Sequence, residues 1–342
     1  MLFRVGEETA GCWKKPVLLL LPDIRFMKKL LLIFFLIVAA VEVSAQWDWQ
    51  LVDSMYAPLP ASVHVYQTGT PTEGKPNKAF YVRLPLHDRH LIFSSQVGNG
   101  KRYTPSEYYA QNQQPLIVMN CTFFEFVHNS NLNVVINDGK LLAYNVQTLP
   151  GKGKDSGQYF HVLGSAIGIN KKRNADIAWL YVDSSLSTPK ATQLPVNFWK
   201  DSLSSPAAND YLQRGNFSNW KMKTAVGGGP VLVQQGEVQI ANNIERKFAG
   251  NAIRDKHPRT GIGYTANGDL ILLVIEGRFP GKAEGATLEQ MATMFTQIGC
   301  IEAMNLDGGG SSCLLINGKN TITPSDKEGQ RPVPAVFMVH QR

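Results

Sequence analysis

The run Asn305-Leu306-Asp307-Gly308-Gly309-Gly310-Ser311-Ser312 holds the residue types best suited to chemistry. Three consecutive glycines between apolar runs cost backbone entropy that a plain turn does not need. They permit positive φ and close approach of a ligand to the main chain, where successive N–H groups form an anion-binding concavity. Asp307 can transfer a proton or bind a cation there, and Ser311 and Ser312 add hydroxyl donors. A tight bulge in which Asp307 hydrogen-bonds its own turn accounts for the same letters more plainly.

Three other segments carry related chemistry. Ala225-Val226-Gly227-Gly228-Gly229-Pro230 again sets three glycines ahead of an apolar strand, as a ligand approach or a strand corner. Val118-Met119-Asn120-Cys121-Thr122-Phe123-Phe124 ends an apolar strand in amide, hydroxyl and aromatic groups, which suits a sugar ring or a capped hydrophobic corner. His257-Pro258-Arg259-Thr260-Gly261 puts a cation at a strand entry, and the expected hairpin partner ends at Glu276-Gly277-Arg278. Hairpin geometry would gather Arg259, Glu276 and Arg278 at one end of a sheet. Arg can hold a phosphate bidentately, and Glu276 can orient an Arg or pair with Arg278 at the surface.

Strands and turns must position these segments. Val134–Ile136 and Leu141–Tyr144 flank Asn137-Asp138-Gly139-Lys140, a strong hairpin signal. The same logic pairs Gly261–Thr265 with Leu270–Ile275, Ala166–Ile169 with Ile177–Val182, and Cys313–Ile316 with the segment after Asn317-Gly318. Thr104-Pro105-Ser106-Glu107 and Thr287-Leu288-Glu289-Gln290 are capping boxes that open helices. The second helix carries Leu288, Met291, Ala292, Phe295 and Ile298 on one face and stops at Gly299. Residues 183–223 are polar with no sustained period and read as a surface excursion or lid. These elements predict an α+β fold: a single domain, residues 46–342, with a mixed or antiparallel β-sheet core and a few packed helices.

The chain start has a different character. From Met27 the chain runs through Lys28-Lys29, an apolar stretch Leu30–Val41, and Val43-Ser44-Ala45. That is the layout of a secretory signal peptide cleaved after Ala45, and the apolar stretch is short for a membrane span. Residues 1–26 read as an upstream extension from a mis-assigned start. The expected product is secreted or periplasmic, with no stable membrane span after cleavage. The whole chain has a net charge of +7, and residues 46–342 retain +5, dispersed without the clusters of a nucleic-acid footprint. Beyond the leader lie Cys121, Cys300 and Cys313. Their spacing is neither a disulfide framework nor a zinc pattern, and it leaves open a Cys300–Cys313 bridge or buried free thiols.

The four segments together resemble the phosphodiester glycosidase family. Its blocks read Asn-Gly-Gly-Phe-Phe, Gly-Gly-Gly-Pro, Arg-Thr-Ala-Ile-Gly and Asn-Leu-Asp-Gly-Gly-Gly-Ser-Ser. They stand here in the same order as Asn120–Phe124, Gly227–Pro230, Arg259–Gly263 and Asn305–Ser312. Two departures are Cys121-Thr122 in place of two glycines, expected to narrow the approach to the backbone, and Gly261 where Ala is common. The resemblance implies hydrolysis of a glycosyl phosphodiester to a free sugar and a phosphomonoester. On that chemistry Asp307 is the acid/base candidate, Glu276 the second carboxylate, and Arg259 with the Gly308, Gly309 and Gly310 amides the charge-stabilising set. Asn120, Thr122 and Asn305 would orient the sugar. Phe124, Gly228, Gly229, Thr260, Arg278 and Ser311 complete the expected substrate contacts. Asp307, Asn305 and Glu276 are also oxygen ligands of the kind Ca²⁺ prefers, so the set admits a Ca²⁺ ion without any spacing that requires one. The rival from another class is a non-catalytic carbohydrate-binding or polysaccharide-processing module. A serine hydrolase is disfavoured, because no Gly-x-Ser-x-Gly elbow occurs.

Overall fold

Turn chemistry sets the sheet pattern. Asp138-Gly139 and Asn317-Gly318 both have positive φ at each residue, the backbone a type I′ hairpin turn requires. They join Val135–Asn137 to Lys140–Ala143 and Leu314–Ile316 to Lys319–Asn320. A computed structural model describes residues 46–342. The leader and upstream extension lie outside the described residues. All strand ladders among the described residues are antiparallel, so the mixed sheet admitted by the sequence is not formed. The architecture is β-dominated, with few helices, and distributes its strands over four sheets rather than one core sheet.

The eight-stranded sheet is centred on Ala79–Pro85, Asp269–Ile275, Arg259–Thr265, Cys300–Asn305 and Val231–Gln234, in that spatial order. Alternation along Asp269–Ile275 sends Leu270, Leu272 and Val274 into the main core and Ile271, Leu273 and Ile275 to the opposite face. The main core also takes Ile167, Trp179 and Val226 from the seven-stranded sheet and Ile117, Met119 and Phe337 from the five-stranded one. On the opposite face lies the helix Leu288–Ile298, capped by Thr287 in a capping box and ended by Gly299 at φ 95°. It buries Leu288, Met291, Ala292, Met294, Phe295 and Ile298. At about 1.5–3 kcal/mol for each large apolar side chain removed from water, that face anchors the helix. Gly261 is required by this contact: a Cβ there would clash with the Met291 methyl and lie 3.0 Å from the Phe295 ring. The substitution of glycine for the commoner alanine therefore makes room for the helix.

The hairpins expected at 166–182 and 261–275 form and extend to Gly164 and Arg259, in registers that pair Ile167 with Ile177 and Arg259 with Ile275. Residues 183–223 are more regular than their composition suggests. They contribute Lys190–Thr192 and Ser218–Asn219 to the edge of the seven-stranded sheet, Trp199–Asp201 to a three-stranded sheet, and the helix Ala208–Leu212. Buried Tyr211 ties that helix to the main core, which is unlike a free lid. Strands of two or three residues leave no periodic signal to read. Cys121, Cys300 and Cys313 are buried free thiols, so the bridge between the last two is not formed. No helix of the described residues is long and apolar enough to cross a membrane.

Candidate active site

The ends of strands from two sheets meet at Asp307. The strand Cys300–Asn305 lies beside Arg259–Thr265, with Asn305 opposite Gly261. Past its end, Leu306 N donates to Thr260 O and Asp307 N donates to Cys121 O. Asn120 knits the junction from below. Its Nδ2 donates to Asp307 O at 2.6 Å, while its Oδ1 accepts from Thr260 Oγ1 and Cys313 N. Asn120 and Thr260 are fully buried, and the Asn120 amide is committed to these three protein partners. Thr122 is also buried, with Oγ1 donating to Asn131 Oδ1 at 2.5 Å, and Cys121 faces the main core. The Cys121-Thr122 departure thus turns both side chains inward, and they do not supply the narrowing expected of them.

Around Asp307 two of the three glycines make room for arginine. A Cβ on Gly309 would meet Arg278 Nη2 at 2.9 Å and one on Gly310 would clash with the Arg331 guanidinium, whereas one on Gly308 would meet the Pro258 carbonyl at 3.0 Å. Gly309 has φ 61° and Arg278 φ 66°, a left-handed pair that brings the Arg278 side chain over the turn. Arg331 donates through Nε to Asp326 Oδ2 at 2.6 Å, and its Nη1 lies 3.5 Å from Ser311 Oγ. Arg259 is buried, donating through Nε to Ala286 O and through Nη2 to Asp255 O. Burial, with Arg278 nearby, brings its guanidinium down to about 10, against the opposing pull of Asp255. The expected amide cradle is only partly open. Gly309 N donates to Pro258 O, and Gly308 N supports the Asp307 carboxylate. Guanidinium groups, more than amides, supply the positive field.

Loss of solvation pushes the Asp307 carboxyl up to about 7, against the Ser311 hydroxyl, the Arg331 charge and the Gly308 amide, which favour its ionised form. Asp307 keeps partial solvent access, so this proton can exchange. His257, two residues before Arg259, is held below its usual value by burial and by Arg259 and Arg278, with Asp255 opposing. Its Nδ1 is buried without a hydrogen-bond partner.

Glu276 does not join the arginines. Its Oε2 accepts from Lys78 Nζ at 3.2 Å and from Thr323 N at 2.7 Å. The expected pairing with Arg259 or Arg278 is therefore replaced by a buried anchor for the segment leading to Ser325, Asp326 and Arg331. Among the described residues no three His, Cys, Asp or Glu side chains are gathered to hold a metal ion. The second glycine run is spent on the fold: Gly228 N donates to Ser165 O, and Gly229 N donates to Asn305 O. Asn305 Nδ2 returns a bond to Gly229 O, leaving a buried Oδ1 without a partner.

The aromatic side of the site is broader than the sequence suggests. Phe124 packs against Phe126 with ring centroids 4.8 Å apart and the rings tilted by 49°, and Arg102 lies over both. Phe126 is 58% exposed, and Arg331 reaches its ring at 5.8 Å. Phe123 meets Phe248 edge-on at 5.9 Å, and Arg259 lies over Phe248. Arg331, Asp326, Phe126 and Phe248 lie outside the motif blocks. Only the exposed aromatic Phe126, two residues past Phe124, left a trace in the sequence. A cleft of about 1110 Å³ lined by Lys171, Lys172, Trp220, Lys221 and Lys223 contains none of these residues. The perturbed carboxyl among guanidiniums marks the site better than volume does.

Comparison with known proteins agrees with the blocks. Residues 113–340 match the phosphodiester glycosidase family. The chain is 41% identical over 71 residues to the SPbeta prophage-derived uncharacterized protein YomE of Bacillus subtilis (strain 168), covering 21% of this chain and 11% of that protein. It is 37% identical over 89 residues to the N-acetylglucosamine-1-phosphodiester alpha-N-acetylglucosaminidase of Bos taurus, covering 24% of this chain and 16% of that enzyme. The chain thus matches only a small part of the length of these relatives. The catalytic domain of the zebrafish N-acetylglucosamine-1-phosphodiester alpha-N-acetylglucosaminidase, solved auto-inhibited by its pro-peptide, shares the fold. Its TM-score is 0.57 at 18% identity, over 87% of this chain and 89% of that one. With the family match running over well more than half of its length, this chain belongs to the phosphodiester glycosidase family.

Proposed function

We propose that the protein hydrolyses a glycosyl phosphodiester, adding water across the bond between the anomeric carbon and the phosphate to release a free sugar and a phosphomonoester. The observation that carries this reading is the Asp307 carboxyl, raised to about 7 within reach of the Arg331 field and flanked by Arg259 and Arg278. A carboxyl balanced between its two forms near neutral pH suits proton transfer to the leaving oxygen or from water. Guanidinium groups suit the phosphate, which they can hold bidentately while charge develops on it. The Phe124/Phe126 and Phe123/Phe248 pairs offer apolar faces for a sugar ring. Asn305 and Ser311 supply polar contacts at the turn, while Asn120, Thr122 and Thr260 support it from within.

The sugar-binding module remains second, because binding alone gives no reason to hold a carboxyl near neutrality. Export to the cell envelope rests on the leader at residues 27–45. The purified protein should release free sugar and phosphomonoester from an alkyl N-acetylglucosaminyl phosphodiester faster than it cleaves aryl glycosides. Saturable binding of the phosphodiester with no product would favour the module instead.

A further inference from the structure

The Gly227–Gly229 run, which offers no open amides, seats a charged pair that the proposed chemistry does not use. A Cβ on Gly229, at φ 117°, would clash with the Glu245 carboxylate and lie 2.6 Å from Lys247 Cε. Glu245 is buried, and its carboxylate accepts from Ser165 Oγ at 2.8 Å, Trp179 Nε1 at 3.1 Å and Val231 N at 2.9 Å. Those donors come from three strands in two sheets.

The short helix Asn242–Glu245 is held just as firmly. Asn242 clasps the backbone of Phe248 through both its N–H and its carbonyl. Arg246 takes a left-handed conformation, φ 50°, and lies 3.7 Å from the Phe160 ring centre. The Lys247 ammonium makes no hydrogen bond or ion pair among the described residues and sits 5.9 Å from the Phe123 ring. Burial lowers its proton affinity while nearby Glu245 supports its charge. A half-buried ammonium with donors uncommitted to the protein is free to meet a ligand oxygen.

Phe123 and Phe248 form one edge-on pair, with Lys247 over the first ring and Arg259 over the second. We propose that Lys247 is a substrate-binding residue that donates to a sugar oxygen, across this aromatic pair from the arginines that take the phosphate. Glu245 is its positioning residue, and Gly229 leaves the space both need. The proposal rests on the sugar-phosphodiester reading of the site and adds to it the group that recognises the sugar.

Calorimetric binding of glucose 1-phosphate, N-acetylglucosamine 1-phosphate and inorganic phosphate to the wild-type protein and Lys247→Met tests it. The variant should bind the sugar phosphates about tenfold or more weakly, the usual loss for one charge-assisted hydrogen bond, and inorganic phosphate unchanged. Lys247→Arg should recover part of the sugar-phosphate affinity, and Glu245→Gln should show the same sugar-selective loss as Lys247→Met. Equal binding of sugar phosphates by wild type and Lys247→Met would overturn the assignment, as would an equal loss for inorganic phosphate. A wild-type protein that binds no sugar phosphate would overturn the underlying reading of the site and this proposal with it.

Discussion

At 309–310 the space left by absent side chains is filled by guanidinium groups; at 227–229 it is filled by backbone, a buried carboxylate and a lysine stem. The two runs have the same three letters and opposite solvation. Gly309 and Gly310 face Arg278 and Arg331 beside a half-buried Asp307, where the proposed function places the ligand. Gly227, Gly228 and Gly229 spend their amides on Val134, Ser165 and Asn305, where the turn meets the rest of the protein. A glycine run therefore signals close approach without saying what approaches. The neighbours, contributed from distant parts of the chain, decide between an anion site and a structural corner.

Alanine at one position in each run separates the two roles. Gly229→Ala places a Cβ at φ 117° against a buried carboxylate, and should cost about 2–4 kcal/mol of stability. In thermal unfolding that is a fall of roughly 5–10 °C for a domain of this size. Gly310→Ala meets only the end of a flexible Arg331 side chain and Asp326. It should lower stability by about 1 kcal/mol or less while weakening sugar-phosphate binding about tenfold or more. Similar stability losses in both variants would erase the distinction.

Arg331→Met sharpens the electrostatic half of the comparison. It removes a cation that favours the ionised form of Asp307, so the carboxyl should rise further above about 7. With Asp307 acting as the acid, the alkaline limb of the rate profile should move to higher pH, and phosphate affinity should fall about tenfold to a hundredfold. A limb that stays in place would detach Arg331 from Asp307.

The smallest effect concerns the cost of keeping Asp307 where it is. Its folded value of about 7 lies above the ordinary 3.8, so the native state binds more protons between those limits. Stability linked to the neutral carboxyl is full below about pH 3.8 and is lost as pH rises through about 7. Asp307→Asn should therefore melt a few degrees higher than wild type at pH 8, with the gap closing towards pH 4. A variant that melts lower at pH 8 would mean that the carboxylate is a structural anchor.

Local rules made much of the scaffold legible. The Asp138-Gly139 and Asn317-Gly318 turns, both capping boxes and the buried face of Leu288–Ile298 depend on neighbours a few residues away, and they stand in the structure as the sequence implies. The turn around Asp307 stands out in the sequence as a candidate site because a run of glycines beside a carboxylate is costly without a use. What surrounds it is less legible. Glu276 is held by Lys78 and Thr323, residues on other elements that no periodicity connects to it. Arg331 lies in a polar segment without a motif, Glu245 ends a single helical turn too short to leave a pattern, and Lys247 lies just past that turn's left-handed cap. Residues 183–223 concealed sheet edges for the same reason: strands of two or three residues are set by their partners.

The central claim is that Asp307 carries the proton in glycosyl phosphodiester hydrolysis. Its most direct test is kcat/KM for Asp307→Asn and wild type on an alkyl N-acetylglucosaminyl phosphodiester at pH 6.5, with both proteins shown to be folded and to bind N-acetylglucosamine 1-phosphate. The predicted result is a loss of about 10²–10⁴-fold with binding largely retained. A folded Asp307→Asn protein that turns over the phosphodiester at the wild-type rate would contradict it.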